Sequence, residues 1–199
     1  EVQGGEASWI ALQAGIAVAA DVVLIPEIPV DLQHVATHLK NKMSGKKSWG
    51  LVVVAQGAKI INQKEKAEKV SSLKASLSPL ATSDSNSEFV IHKSGQAAQA
   101  VAEGLQLRIA EETFPMVIGP WVRGGAPSAV DRQLAVAYGA GAIQALKAGS
   151  NGVMVSFIPP DIKFVPLAEA INKVRTIPPG SMFFQVADSL GIYVGKEGA

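Results

Sequence analysis

The sequence predicts an α/β chain, a Rossmann-like three-layer sheet with helices on both faces. Two observations carry the prediction. Short runs rich in Val, Ile and Leu alternate with stretches of helical period, the pattern of βα units. The runs are also nearly continuous in apolar residues, as in Leu51-Val52-Val53-Val54-Ala55. Parallel strands covered on both faces read this way.

The elements follow in order. Ala7 to Ala19 is helical and strongly apolar, hence buried. Val22 to Ile25 is a short buried strand. Pro29 to Met43 is an amphipathic helix with Leu32, Val35, Ala36, Leu39 and Met43 on one face, and Gly45 closes it. Leu51 to Ala55 is a second strand. Residues 71–87 are rich in Ser, Thr, Asn and Asp and read as a mobile insertion. Ser94 to Glu112 is a long helix and Phe114 to Gly119 a third, buried strand. Ser128 to Lys147 is a helix with Ser128 as N-cap and Gly149 as its stop. Val153 to Phe157 is a fourth strand, and Val165 to Val174 and Met182 to Gly191 are further helices. Pro159-Pro160 and Pro178-Pro179-Gly180 mark turns.

Composition narrows the function classes. The 199 residues carry 18 basic and 17 acidic side chains, a net charge of +1, so no general nucleic-acid or membrane surface is expected. Cysteine is absent, which excludes disulfides and thiolate metal sites and fits a reducing cytoplasm. No apolar run reaches the roughly 20 residues of a membrane helix. An apolar share of 48% and a mean hydropathy of +0.23 point to buried interfaces, in a homo-oligomer or against a further domain.

The most informative tract is Gly119-Pro120-Trp121-Val122-Arg123-Gly124-Gly125-Ala126-Pro127-Ser128. It joins a strand to a helix through a glycine-rich turn holding one arginine. Arg123 offers a planar fork of donors suited to phosphate or carboxylate, and Gly124 and Gly125 let backbone approach closely. The alternative is a plain strand–turn–helix joint with a solvated arginine. His34 and His38 lie one helical turn apart but off the apolar face, and read as solvated. Gly139-Ala140-Gly141 falls inside a helix, where close packing explains it better than a dinucleotide fingerprint does.

That tract resembles the signature of the phosphofructokinase family, Gly-His-x-Gln-Arg-Gly-Gly-x-Pro followed by Asp-Arg. Glu1-Val2-Gln3-Gly4-Gly5-Glu6-Ala7-Ser8-Trp9 is similar to the family's Glu-Val-Met-Gly-Arg segment, and Ala20-Asp21-Val22-Val23-Leu24-Ile25-Pro26-Glu27 to its Ala-Asp-x-x-Leu-Ile-Pro-Glu. Leu51 to Ala58 resembles its Val-Val-Val-Ala-Glu-Gly-Ala strand end. The collinear matches span most of residues 1–175. The resemblance implies one C-terminal phosphofructokinase-like domain over residues 1–199, with the N-terminal nucleotide-binding half absent. The chain starts inside a family motif and contains neither the Gly-Gly loop nor the Asp-rich catalytic loop of that half.

The resemblance further implies phosphoryl transfer from ATP or pyrophosphate to fructose 6-phosphate in glycolysis, with Mg2+ and the donor held by the missing half and this chain inactive alone. Its sugar-phosphate positions fall on Gln3, Gly4, Gly5, Gln56 and Arg123; catalytic and metal-ligating residues are not expected here. The match is degenerate. Gly5 stands for an arginine, Phe114 for another arginine, Pro120 for a histidine and Gln56 for a glutamate. Charged hydrogen bonds contribute about 1.5–3 kcal/mol each, so losing two arginines and a histidine removes about 4–9 kcal/mol unless something compensates. A second implied reading is therefore a regulatory or assembly half, binding a phosphorylated effector or a partner chain. Asp21 and Lys46, within Gly45-Lys46-Lys47, match the family's effector positions. Asp131-Arg132 reads first as a helix-start pair.

Overall fold

The computed structural model describes residues 1–45, 47–61, 93–171 and 174–195. The expected insertion at 71–87 and the candidate effector residue Lys46 lie outside them. The chain divides into two compact units, Glu1–Val122 with Thr176–Ala199, and Arg123–Arg175.

In the first unit the expected layers are present. Helix α1 (Trp9–Ala17) starts where the Ser8 hydroxyl accepts the Ala11 N–H at 3.2 Å. Strand β1 (Val22–Leu24) and the two-residue β2 (Val30–Asp31) lead into α2 (Leu32–Met43), whose N-cap Asp31 accepts the Gln33 N–H at 2.8 Å. Strands β3 (Val52–Val54) and β4 (Ile60–Ile61) pair in parallel with β1 and β2. Isolated parallel bridges widen the sheet, Val2 to Ala55 and to Gly119 on one side and Val22 to Tyr193 on the other.

Helices cover both faces because β1 alternates within a continuous apolar run. Val22 and Leu24 pack with Leu32, Val35, Ala36 and Leu39 of α2 and with Ala97, Val101 and Leu105 of α3 (Gln96–Gln106). Val23 and Ile25 face the other way, toward Leu12 of α1 and Phe184 and Ala187 of the final helix, Met182–Ser189. Each fully buried Val, Leu or Ile contributes about 1.5–3 kcal/mol, so these opposed clusters fix the register of the central strands.

The third expected strand differs. Phe114–Gly119 forms one bridge, at Gly119, and Phe114 and Met116 are exposed. Its backbone partner is Glu1: the Ile118 N–H donates to the Glu1 carbonyl at 2.9 Å. A single bridge does not make a ladder, so the apolar run alone overstated its burial.

The second unit is built from α4 (Ala129–Lys147) against an antiparallel hairpin, β5 (Val153–Ile158) with β6 (Asp161–Pro166). Ser128 caps α4 as expected. Its hydroxyl accepts the Asp131 N–H at 3.2 Å, and the Asp131 carboxylate accepts the Ser128 N–H at 2.9 Å. The helix expected at Val165–Val174 is displaced. Residues up to Pro166 belong to β6, and among the described residues of that span Leu167–Ala170, α5, is helical; the final helix is then α6. Alternating Ile162, Phe164 and Pro166 pair across the turn at Pro159-Pro160, and that non-local pairing overrides the local helical pattern. Among the described residues, the two buried apolar clusters draw every member from the first unit.

Candidate functional site

Ligands in open α/β sheets bind beyond the carboxyl ends of the parallel strands. In the first unit that edge is formed by the loops after Val2, β1 and β3. The Val2–Ala55 bridge sets their register: the Val2 N–H donates to the Val54 carbonyl at 2.9 Å, and the Gln56 N–H to the Val2 carbonyl at 3.0 Å. One residue further, the Gly57 N–H donates to the Gly4 carbonyl at 2.7 Å. Gln3, Gly4, Gly5 and Gln56, named separately from the sequence, are thus brought together on adjacent strand ends.

Glycine is required at this contact. A methyl group on Gly57 would run into the Gly5 carbonyl, 2.6 Å from its carbon. Gly4 has φ +146°, and a methyl there would lie 2.7 Å from the Ser8 Cβ. Gly57 therefore holds the Gln3–Gly5 loop by backbone against backbone. The side chain at position 5 is lost, but the loop keeps its place.

Behind the loop stands Glu27, at the carboxyl end of β1. Its Oε1 accepts the Ser8 N–H and the Ile177 N–H, both at 3.2 Å. Its Oε2 is buried with no protein hydrogen-bond partner. The sequence marked Glu27 only as part of a motif; no local signal shows that its carboxylate reaches residue 177.

Arg123 begins the second unit and ends a 3₁₀ turn, Pro120–Arg123. It is exposed, as a residue that meets an anion in solution must be. Asp131, in the same tract, is committed to Ser128, whose hydroxyl and N–H hold its carboxyl below the ordinary range. This supports the helix-start reading of Asp131 over a ligand-binding one.

Of the candidate effector residues, Asp21 is buried and already partnered. Lys47 reaches both its carboxylate oxygens at 2.6 Å, and the Leu51 N–H donates at 2.8 Å. Lys47 also lies over the Trp49 ring, 4.0 Å from its centroid. Burial opposes ionisation of Asp21, but the hydrogen bonds from Lys47 and Leu51 together with the lysine charge outweigh it, so its pKa is lowered. His38 is not simply solvated: it is half-buried, with its ring 5.4 Å from that of Tyr193. Burial, and then Lys42, push its pKa down.

The sequence model of the phosphofructokinase family matches residues 1–146. The chain belongs to the phosphofructokinase family. Its relatives include the ATP-dependent 6-phosphofructokinase of Chloroflexus aurantiacus, 37% identical over 199 residues, which cover 99% of this chain and 49% of that protein. The pyrophosphate–fructose 6-phosphate 1-phosphotransferase of Thermoproteus tenax is 35% identical over 177 residues, 89% of this chain and 46% of that one. Among solved structures, a pyrophosphate-dependent phosphofructokinase from Marinobacter aquaeolei superposes with a TM-score of 0.64 at 19% identity, covering 89% of this chain and 41% of that one; this likeness supports the fold. The chain spans about half the length of the curated relatives it matches.

Among the described residues, no group of three His, Cys, Asp or Glu is placed to hold a metal ion. No described helix is long and apolar enough to cross a membrane.

Proposed function

We propose that this chain is the sugar-phosphate-binding half of a phosphofructokinase-type phosphotransferase. The observation that carries the reading is the contact of the Gln3–Gly5 loop with Gln56–Gly57 at the carboxyl edge of the parallel strands. Backbone N–H groups of Gly4 and Gly5 and the Gln56 amide are the candidate sugar contacts at that edge, and Arg123, which opens the second unit, is by itself a candidate phosphate ligand. The full reaction moves a phosphoryl group from ATP or pyrophosphate to fructose 6-phosphate in the cytoplasm. Phosphoryl transfer depends on positioning and on a metal–nucleotide. The matched stretch spans about half the length of those relatives, and these residues by themselves are not expected to carry out the transfer.

Thermal shift with fructose 6-phosphate, fructose 2,6-bisphosphate, fructose 1,6-bisphosphate, ADP and phosphoenolpyruvate tests the reading, with Arg123→Ala as control. Selective binding to the folded state raises the melting temperature. A sugar-phosphate shift that disappears in Arg123→Ala is expected. No shift with any of the five would overturn it.

A second reading is favoured by the missing charges at Gly5, Phe114 and Pro120 and by the apolar surface of the second unit. There Val136 is 73%, Leu146 69% and Ile171 75% exposed. A regulatory or assembly half, packed against its complementary half and in a homo-oligomer, accounts for both. Stabilisation by ADP or phosphoenolpyruvate but not by sugar phosphates would select it.

A further inference from the structure

We infer that Glu27 is a positioning residue for the Gln3–Gly5 loop, acting through Ser8 and anchored at Ile177. Glu27 lies three residues beyond the end of β1, beside the fully buried Pro26. One carboxylate oxygen serves two backbone donors far apart in sequence, Ser8 and Ile177. Ser8 is 1% exposed and Ile177 3%, so neither amide has water to replace the carboxylate, and an unpaired buried N–H is costly.

From Ser8 the constraint runs in two directions. The Ser8 hydroxyl accepts the Ala11 N–H and so fixes the start of α1. The Ser8 side chain also lies against Gly4, whose positive φ leaves no room for a side chain between them. The carbonyl of Gly4 in turn receives the Gly57 N–H at 2.7 Å. Glu27 therefore closes a chain of contacts running Ile177, Glu27, Ser8, Gly4, Gly57. Ile177 belongs to the segment on which the chain re-enters the first unit after Arg175, so the clamp ties the candidate ligand loop to that returning segment.

The carboxylate is specifically suited to this work. Glutamine would keep one acceptor oxygen, but its amide nitrogen would occupy the buried position of Oε2, which has no protein partner. It would also lose the charge that strengthens both hydrogen bonds. Glu27→Gln is expected to loosen the clamp in part and Glu27→Ala to release it.

The test is backbone amide exchange of the 199-residue chain by NMR, with Asp31→Ala as the comparison. Asp31 caps α2 and takes no part in the contact chain, so its loss destabilises the same unit by an unrelated route. In Glu27→Ala, exchange at both Ser8 and Ile177 should rise at least tenfold beyond the change seen in Asp31→Ala, equivalent to about 1.4 kcal/mol. Glu27→Gln should fall between. Equal exchange in Glu27→Ala and Asp31→Ala, or a rise at one amide without the other, would overturn the clamp. The ligand arm rests on the sugar-phosphate reading. The Kd for fructose 6-phosphate should rise at least tenfold in Glu27→Ala and stay within threefold in Asp31→Ala; an equal rise in both would show that Glu27 acts on stability alone. If the unmodified chain binds no sugar phosphate, the functional reading fails, and the exchange data still decide the clamp.

Discussion

Replacing Gly57 with alanine places a methyl group 2.6 Å from the Gly5 carbonyl carbon and 2.8 Å from its Cα. Carbon–carbon contacts settle at about 3.5–4.0 Å, and the Gly5 carbonyl oxygen lies closer still, so the Gln3–Gly5 loop must retreat by more than about 1 Å. The obstacle is backbone, which cannot swing aside as a side chain would. Retreat breaks the 2.7 Å bond from the Gly57 N–H to the Gly4 carbonyl. That bond contributes about 1 kcal/mol, and the forced displacement costs about 1–3 kcal/mol, for a total of about 2–4 kcal/mol. Urea unfolding followed by tryptophan fluorescence reads the effect, because Trp9, Trp49 and Trp121 all belong to the first unit, where Trp9 packs edge-on against Phe183. Gly45→Ala is the control: nothing lies within 4 Å of its added methyl, and its φ is not positive. The first-unit transition of Gly57→Ala should move to lower urea by that amount, and fructose 6-phosphate binding should weaken with it. A midpoint within about 0.5 kcal/mol of the parent, the usual range for an innocuous surface change, would refute the close contact on which the site is built.

Three further outcomes are expected. Asp21→Asn should destabilise the chain by about 1–3 kcal/mol, below the value for a fully buried pair because Lys47 keeps 31% of its side chain in water. The folded pKa of Asp21 is depressed, so its stabilisation is present above about pH 4 and is lost as pH falls through the folded value; acid titration of the variant should lack that loss. For His38, also depressed, the unfolded chain takes up the proton first. Stability should therefore be level above about pH 6.5 and decline as pH falls below it, and unfolding midpoints of His38→Asn at pH 8 and pH 5 should differ less than those of the parent. Gly139→Ala, inside α4 with nothing within 4 Å, should raise stability by about 0.5–1 kcal/mol through helix propensity, read as an upward shift of the melting temperature.

The amphipathic period of Leu32, Val35, Ala36 and Leu39 settled which face of α2 is buried. The capping pair Ser128 and Asp131 settled where α4 begins. The apolar continuity of Val22–Ile25 and Leu51–Ala55 settled that the central strands are parallel and covered on both sides. Each is a local signal, carried by spacing along a few residues. The family, and the candidate positions Gln3, Gly4, Gly5, Gln56 and Arg123, were legible in the same way, because motif residues stand in a fixed order along the chain.

Pairing between distant segments decided the rest. Whether an apolar run becomes a strand depends on what lies beside it. Among the described residues Phe114–Gly119 pairs its backbone with Glu1 and Val2 and forms a single bridge, whereas Val165 and Pro166 pair with β5 and are drawn out of the expected helix. Carboxylate partners are equally non-local. Glu1 caps the start of α3 through the N–H groups of Gly95 and Ala98, Asp21 takes Lys47 and Leu51, and Glu27 joins Ser8 to Ile177. A charge in a sequence shows that a partner is needed if the group is buried. Only the folded chain, by bringing residue 27 to residue 177, determines which partner that is.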